Sequence, residues 1–384
     1  MLWTNQIISR PMENFLRFIS AWPGTSNAFL FPSYAILMLL SFIAEIGDAC
    51  LVIENLKMFV HTISHSLIIS LVFLKTTIFW LQRGCAKEIL SEMLYDWCSI
   101  KNPEERIIMK KYVNISHKIY MASSTINVLS LCTYIGTFVR SCLAESVEDR
   151  KFPLPSRFPF PSKISPIFEV LCLLQLLILG LSATLCGALD SFFLAMILHT
   201  STKIEIVRLE LKRFVEDKLK SQNKSLASNT KNAAKLLIDK HQNMIDFAEK
   251  INQVYSNNVL VHFTFCMIQI SFTSYEILTM LETNRKTVLK LIIILNNQIA
   301  VIGAFCAIGE LVRSKSLSIA DEAYSFPWYN LKTDDCRTIM MLIRRAHIPI
   351  SITAGKFVIL SIASFMQLLK ATFSYLSVLR TIQQ

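Results

Sequence analysis

Glycine is scarce in this chain, nine among 384 residues, and none sits in a phosphate-cradling loop. The Walker pattern, Gly-x-Gly-x-x-Gly, Gly-x-Ser-x-Gly and His-Glu-x-x-His are all missing, which removes the nucleotide, hydrolase and metalloprotease chemistries that need them. Charge is scarce as well. Only 17% of residues are Asp, Glu, Lys or Arg, against roughly 25% in soluble domains. An ordinary cytosolic enzyme is therefore excluded, and no cofactor or metal is expected. The ten cysteines form no Cys-x-x-Cys pair, and most fall in apolar stretches, where a thiol packs as a small apolar group. Disorder is excluded by the 25 phenylalanines and the long Leu/Ile runs.

What is present is apolar sequence, 53% of the chain, with a mean hydropathy of +0.44. A hydrocarbon core about 30 Å thick needs about 20 apolar helical residues. Uninterrupted runs of this kind occupy residues 119–139, 170–189 and 254–275, with a nearly full-length fourth at 291–309. Three more carry ionisable residues: 33–53 with Glu45 and Asp48, 59–80 with Lys75, and 348–379 with Lys356 and Lys370. The expected fold is an all-α membrane protein of seven transmembrane helices. The N-terminal stretch lacks a continuous apolar core and a small-residue cleavage site, so no signal peptide is expected and the first span directs insertion.

Lys and Arg crowd the connection between spans two and three, from Arg83 to Lys118, and that between spans four and five, from Lys203 to Lys250. Basic loops stay in the cytoplasm, so the N-terminus is expected inside and the C-terminus extracellular. The net charge of +11 then faces an anionic lipid leaflet. With no basic domain standing apart, nucleic acid is not an expected partner. This topology is the reverse of a G-protein-coupled receptor, whose acidic-Arg-aromatic triplet and Asn-Pro-x-x-Tyr are also absent. The sequons Asn114-Ile115-Ser116 and Asn223-Lys224-Ser225 fall in loops placed inside, where glycosylation does not occur.

Span four continues without a breaker past Leu189, with Ile204, Val207, Leu211 and Phe214 at helical spacing, so one helix is expected to run on into the cytosol. Residues 221–232, SQNKSLASNTKN, read as a mobile linker. Beyond them Leu236, Leu237, Met244, Phe247, Ala248, Ile251 and Tyr255 predict an amphipathic helix feeding span five. Two such extensions imply a packed helical body below the membrane. Thr333, Asp334 and Asp335 supply an N-cap and acidic first turn, Arg344 and Arg345 a basic last turn, and Pro349 a stop. They mark a short helix whose Ile339, Leu342, Ile343 and Ala346 form one apolar face. The loop of residues 141–166 holds five prolines and reads either as a lid over an outward-facing cavity or as a covering loop.

Charges inside spans cost about 2.5 to 3.5 kcal/mol each at the helix centre, so Lys75, Glu45 and Asp48 are expected in a buried polar network or an aqueous cavity. Glu276, Lys356 and Arg380 lie near enough to span ends to snorkel. His61 and His65 have metal-ligand spacing but no third ligand, and read as interfacial polar residues. Cys142 and Cys172 both lie near the outer surface and leave a pairing open. On the last span Ala371, Tyr375, Val378 and Ile382 share one narrow face. Assembled around an axis it would line a hydrophobic constriction; in a single chain it is equally a lipid or core face.

Ala323-Tyr324, Pro327-Trp328-Tyr329, Cys336 to Arg345, Pro349, Ala354-Gly355-Lys356-Phe357, Leu369-Lys370 and Ser374-Tyr375-Leu376-Ser377-Val378-Leu379, at these intervals, resemble the signature region of insect odorant receptors. The segment from His241 to Ala248 is similar to that family too, and topology, length and the basic second cytoplasmic loop agree over the whole chain. The resemblance implies a subunit of a volatile-ligand-gated, nonselective cation channel, a heterotetramer with the odorant receptor co-receptor in the plasma membrane of a sensory neuron. It implies a pore-lining last span, with Val378 and Ile382 as hydrophobic gate, Thr381 beside them and Tyr375 on the same face. It also implies a cytosolic anchor between subunits, to which Trp328, Tyr329, Ile339, Leu342 and Ile343 belong.

Arg380 departs from that pattern, since the co-receptor more usually carries an apolar residue near the pore mouth. The long insertion in the second cytoplasmic loop characteristic of the co-receptor is absent, so the chain resembles a tuning subunit. Ligand contacts do not carry over by motif. Depth, polarity and aromatic content select Ile69, Phe73, Tyr134, Phe138, Gln175, Phe272, Tyr275 and Asn296 for a small volatile odorant. The chain then divides into a six-span ligand-binding bundle with cytosolic extensions (1–320), an anchor helix (321–348) and the pore-lining seventh span (349–384). The alternatives are a gustatory-receptor-like channel that needs no co-receptor and a metabotropic G-protein-coupled receptor. A transporter would show inverted repeats or paired broken helices, and none is seen.

Overall fold

The computed structural model describes residues 8–20, 22, 30–143, 150–221, 230–281 and 285–383. Its helices are α1 (Arg10–Phe18), α2 (Leu30–Leu51), α3 (Leu56–Leu81), α4 (Arg83–Ser99), α5 (Pro103–Cys142), α6 (Ile167–Ser221), α7 (Thr230–Met280), α8 (Arg285–Ser325), α9 (Thr333–Ala346) and α10 (Ile362–Gln383). Among the described residues, six helices are long and apolar enough to cross a membrane: α2, α3, α5, α6, α8 and α10. The expected fifth span lies in α7, which is more polar. Its Asn258, His262, Gln269, Thr273 and Glu276 are buried, so that polarity is turned into the bundle.

The long extensions follow the apolar spacing. α6 is a single helix of 55 residues, and Ile204, Val207, Leu211 and Phe214 are buried along its C-terminal part. α7 is likewise continuous from Thr230. It buries Leu237, Met244, Phe247, Ala248, Ile251 and Tyr255, whereas Leu236 is exposed, because one residue is about 100° of helical rotation. Most of the linker 221–232 lies outside the described residues.

The connection from Arg83 to Lys118, expected as a basic loop, is instead mostly helical. Asn102 accepts a hydrogen bond from the Glu104 N–H at 3.1 Å, Pro103 fills the first helical position, and Glu104 and Glu105 complement the helix dipole. α5 therefore starts well before residue 119 and joins the helical body formed by the extensions of α6 and α7.

Charged pairs knit that body together. Lys203 on α6 reaches Asp96 at 2.7 Å and Glu92 at 3.2 Å on α4, and Asn243 on α7 at 2.8 Å. Lys315 on α8 meets Glu205 on α6 and Tyr112 on α5, Arg208 meets Glu322, and Lys218 meets Asp335 on α9 at 2.6 Å. Burial would push the Asp96 carboxyl up, but the hydrogen bonds and charge of His199 and Lys203 outweigh it and hold it below the usual carboxylate range.

α9 lies against α8 with Ile339, Leu342 and Ala346 buried and Ile343 half-buried. Its acidic first turn and basic last turn are as expected, but Thr333 is the first helical residue and not the cap. Lys332 holds that place without a side-chain cap bond.

α10, the helix expected as the seventh span from Ile348, begins only at Ile362, because a hairpin intervenes. β1 (Thr353–Ala354) pairs antiparallel with β2 (Val358–Ile359), with Thr353 opposite Ile359 and Ala354 opposite Val358. Gly355 and Lys356 turn the chain with φ of 62° and 67°. A Cβ on Gly355 would stand 2.7 Å from Leu260, so backbone conformation and space both call for glycine here. α7 pins the turn: Ser256 accepts the Gly355 N–H at 2.9 Å and the Lys356 N–H at 2.8 Å, and Asn252 accepts the Thr353 N–H at 2.8 Å. Lys356 thus sits in a turn, outside any span. α10 then packs on α7 and α8.

Candidate functional site

Helices α3, α5, α6, α7 and α8 surround a cavity of about 160 Å³, a size class known to hold a benzene-sized molecule. Apolar walls come from Ile69 and Val72 on α3, Leu131 on α5, Leu179 on α6, and Ile294 and Val301 on α8. Polar side chains interrupt them, among them Ser130, Tyr134, Asp190, His262, Gln269 and Gln298. A largely apolar pocket with few polar groups suits a small organic ligand.

One wall depends on a close approach. Asn127 on α5 donates from Nδ2 to the Ala183 carbonyl on α6 at 3.0 Å. A Cβ at Gly187 would lie 2.7 Å from that same Nδ2. The glycine admits the amide that ties the two helices.

A buried charged cluster adjoins the cavity. Lys75 on α3 forms an ion pair with Asp190 on α6, and its ammonium lies 2.9 Å from His262 Nδ1 on α7. Asn258 Nδ2 donates to the Lys75 carbonyl at 3.0 Å. Lys75 is therefore in the buried network expected of it, while its partner Asp190 stands one residue beyond the apolar run read as span four. Asp48 accepts from Thr62 Oγ1 at 3.4 Å, and Glu45 is fully buried with no hydrogen-bond partner on either carboxyl oxygen.

Toward the other end, Glu276 accepts from Ser64 Oγ at 2.6 Å and pairs with His61 Nδ1 at 3.2 Å. Lys290 lies 3.6 Å from the centroid of the Tyr134 ring, a cation–π contact. His61 and His65 engage each other and their neighbours, and among the described residues no His, Cys, Asp and Glu cluster could hold a metal. Cys142 and Cys172 are both free thiols.

Of the eight side chains expected to contact ligand, the cavity brings together Ile69 and Tyr134. Asn296 is exposed, and its neighbours Asn297 and Gln298 line the wall in its place. Gln175 is occupied elsewhere: its Oε1 accepts the Leu154 N–H at 3.1 Å and its Nε2 donates to Ser156 Oγ at 2.9 Å. It thereby holds the proline-rich loop down on α6. Phe73, Phe138 and Phe272 are half-buried and Tyr275 is buried, all outside the cavity lining.

Asp190, His262, Gln269 and Gln298 were not among the expected contacts. The signal available for them was a polar residue in or beside an apolar span, the same signal that singled out Lys75. On α10, Tyr375, Val378 and Thr381 are exposed, and the side chains of Arg380 and Ile382 lie outside the described residues. Trp328 is half-buried and Tyr329 exposed, while Met340 and Met341 present an apolar surface on the outer side of α9.

The family model described as 7tm Odorant receptor matches residues 53–373. Odorant receptor 82a of Drosophila melanogaster is 21% identical over 269 residues, covering 69% of this chain and 64% of that protein. Odorant receptor 10 of Aedes albopictus is 26% identical over 218 residues, covering 57% and 56%. The chain thus spans less than two thirds of the length of these curated relatives. The insect olfactory receptor OR5 from Machilis hrabei, solved in complex with eugenol, superposes over 97% of both chains with a TM-score of 0.84 at 14% identity, a likeness of fold.

Proposed function

The chain belongs to the 7tm odorant receptor family, and from that membership we propose that it is the ligand-tuning subunit of a volatile-gated, nonselective cation channel that works as a heteromer with the odorant receptor co-receptor. The observation that carries the reading is the cavity of about 160 Å³ lined by α3 and α5 to α8, a size that suits a volatile molecule. In this proposal the channel sits in the plasma membrane of a sensory neuron, with seven spans, N-terminus inside and C-terminus outside, in keeping with the basic cytosolic connections.

The bundle of residues 1–320 binds ligand, with Ile69 and Tyr134 as contacts retained from the expected set. Residues 321–348 anchor the subunits: Ile339 and Leu342 hold α9 on α8, so that Trp328, Tyr329 and the exposed methionines face a partner. Residues 349–384 carry the pore helix, with Tyr375, Val378 and Thr381 facing the conduction path. The exposed α10 face in a single chain supports this, since a helix packed on one side only leaves such a face for other subunits.

The test is whole-cell current in cells expressing this chain alone, the co-receptor alone, or both, challenged with volatiles and a direct co-receptor agonist while G-protein signalling is blocked. Current to a volatile in the paired cells only is the expected result. Volatile responses from this chain alone would overturn the heteromer, and responses abolished by the block would overturn the channel.

A further inference from the structure

α10 is packed along one side. Leu368 and Thr372 are buried, Phe365 lies against Gly303 of α8, and Ser271 of α7 donates to the Thr372 carbonyl at 3.3 Å. At about 100° per residue, Gln367, Lys370, Ser374, Ser377 and Thr381 all fall within about 40° of the line directly opposite Thr372. All five are exposed. The side of α10 turned away from its own subunit is thus polar from its second turn to its last.

The hydroxyls alone do not decide what this stripe faces. Those of Ser374, Ser377 and Thr381 donate to the carbonyls of Lys370, Phe373 and Ser377 at 3.1, 3.0 and 3.0 Å, and a hydroxyl occupied by its own helix is tolerated in lipid. Lys370 decides. Among the described residues its side chain has no partner. It stands 8 residues from Ile362 and 13 from Gln383, about 12 Å and about 20 Å along the axis, farther than a lysine side chain extends. The whole helix is about as long as the hydrocarbon core is thick. A lysine there cannot snorkel to a headgroup, and facing lipid would be costly. Water solvates it, and in a channel that water lies on the conduction path. α10 carries Lys370 and Arg380 and no Asp or Glu, so no carboxylate on this helix offsets the charge.

We propose that Lys370 projects a fixed positive charge into the conduction path and sets the balance between divalent and monovalent cations. The inference rests on the channel reading above and adds the residue through which this subunit shapes ion selection. A fixed charge acts on an ion in proportion to the ion's own charge, so Lys370 opposes calcium more strongly than sodium. Copies around an axis would add their effects, and a channel built of this chain alone would resist cation entry. A path shared with a different subunit dilutes the charge, in keeping with a heteromer. Lys370 also lies about 12 Å along the helix from Val378, clear of the constriction proposed there.

The test uses cells expressing the co-receptor with the native chain or a variant, and current evoked by a direct co-receptor agonist. The permeability of calcium relative to sodium is read from the reversal potential, which does not depend on how many channels reach the membrane. Lys370→Gln should raise that ratio about twofold, the factor for one unit charge held roughly 8 Å from a hydrated ion, and Lys370→Glu about fourfold. Lys370→Arg, which preserves the charge, should preserve the ratio. Lower ionic strength should widen the gap between native and Lys370→Gln, because screening weakens. The Tm of Lys370→Gln should stay close to native, since no contact within the subunit is lost. As a second probe, a positively charged methanethiosulfonate applied from either side should reduce current through Ser374→Cys and spare the native chain and Phe373→Cys, whose position lies off the stripe.

Equal ratios in the native, Lys370→Gln and Lys370→Glu proteins, with volatile-evoked currents intact, remove this inference and leave the channel reading. Loss of co-purification with the co-receptor in Lys370→Gln, at an unchanged ratio, places Lys370 in a contact with a neighbouring subunit and overturns it as well. So does a ratio that Lys370→Arg changes as much as Lys370→Gln. If every variant behaves as the co-receptor alone, with no co-purification and no volatile response, the channel reading fails and takes this inference with it.

Discussion

Gly309 on α8 and Leu360, just ahead of α10, touch so closely that a Cβ at Gly309 would stand 2.5 Å from the Leu360 carbonyl oxygen. The obstacle is backbone, which cannot rotate away, and Leu360 is itself held by its N–H donating to the Ile352 carbonyl at 2.8 Å. Gly309→Ala must therefore separate the start of α10 from α8. The expected cost is about 1 to 3 kcal/mol, as for other overpacked interiors. Thermal unfolding of the purified protein reads it as a lowered Tm. An alanine variant with the native Tm would show that this contact is looser than described.

The Lys75–Asp190 pair is the second place where a single substitution should be severe. Both side chains are buried on different helices. Removing one partner leaves an uncompensated charge, typically about 3 to 5 kcal/mol. Lys75→Met should lower Tm and surface expression sharply, and so should Asp190→Leu. The double variant should recover most of the loss, because two apolar side chains replace the pair together. A double variant as damaged as the sum of the singles would mean that the two residues act independently.

That pair also shows how far the sequence could be read. Lys75 announced itself as a charge inside an apolar span, but Asp190 stands at the end of one, where a polar residue ordinarily marks an interface with water. The continuation of the helix past it was legible, but that position 190 faces Lys75 on α3 depends on how the helices pack. Helical phase set a second limit. Asn296 and Asn297 are equivalent by composition, yet about 100° of rotation puts one outside and the other on the cavity wall. The hairpin at Thr353 to Ile359 was hidden for a third reason. Its backbone groups are satisfied by Asn252 and Ser256, roughly a hundred residues away in α7, so a local reading extended the span through it. What depended on local periodicity, the long α6 and α7 and the amphipathic α9, was legible.

His241, in the N-terminal part of α7, gives a pH dependence whose sign is defined. It is buried, and burial, then the positive charge of Arg345, hold its pKa below the ordinary value. Below the unfolded histidine's pKa of about 6.5 the unfolded chain binds a proton that the folded one resists. Its contribution is thus present above that pH and is lost as pH falls through the folded value. Lowering the pH from about 7.5 to about 5.5, a window that brackets the unfolded pKa, should reduce Tm more in the native protein than in His241→Gln. Equal drops in the two proteins would assign the acid sensitivity to other groups.

Val378 is expected to matter to conduction more than to folding. It is 57% exposed on α10 in the single chain, while Thr372 and Leu368 on the same helix are buried. Replacing it should cost little stability, because it loses almost no packing within its own subunit. A constriction that closes by excluding water, however, depends on the apolar character of the side chains that ring it. Val378→Ser should therefore leave Tm close to native and raise the resting current of cells that also express the co-receptor, with ligand concentration–response curves shifted to lower concentration. Lower Tm with unchanged resting current would place Val378 in packing and not at the gate. Unchanged Tm and unchanged current would leave it facing lipid.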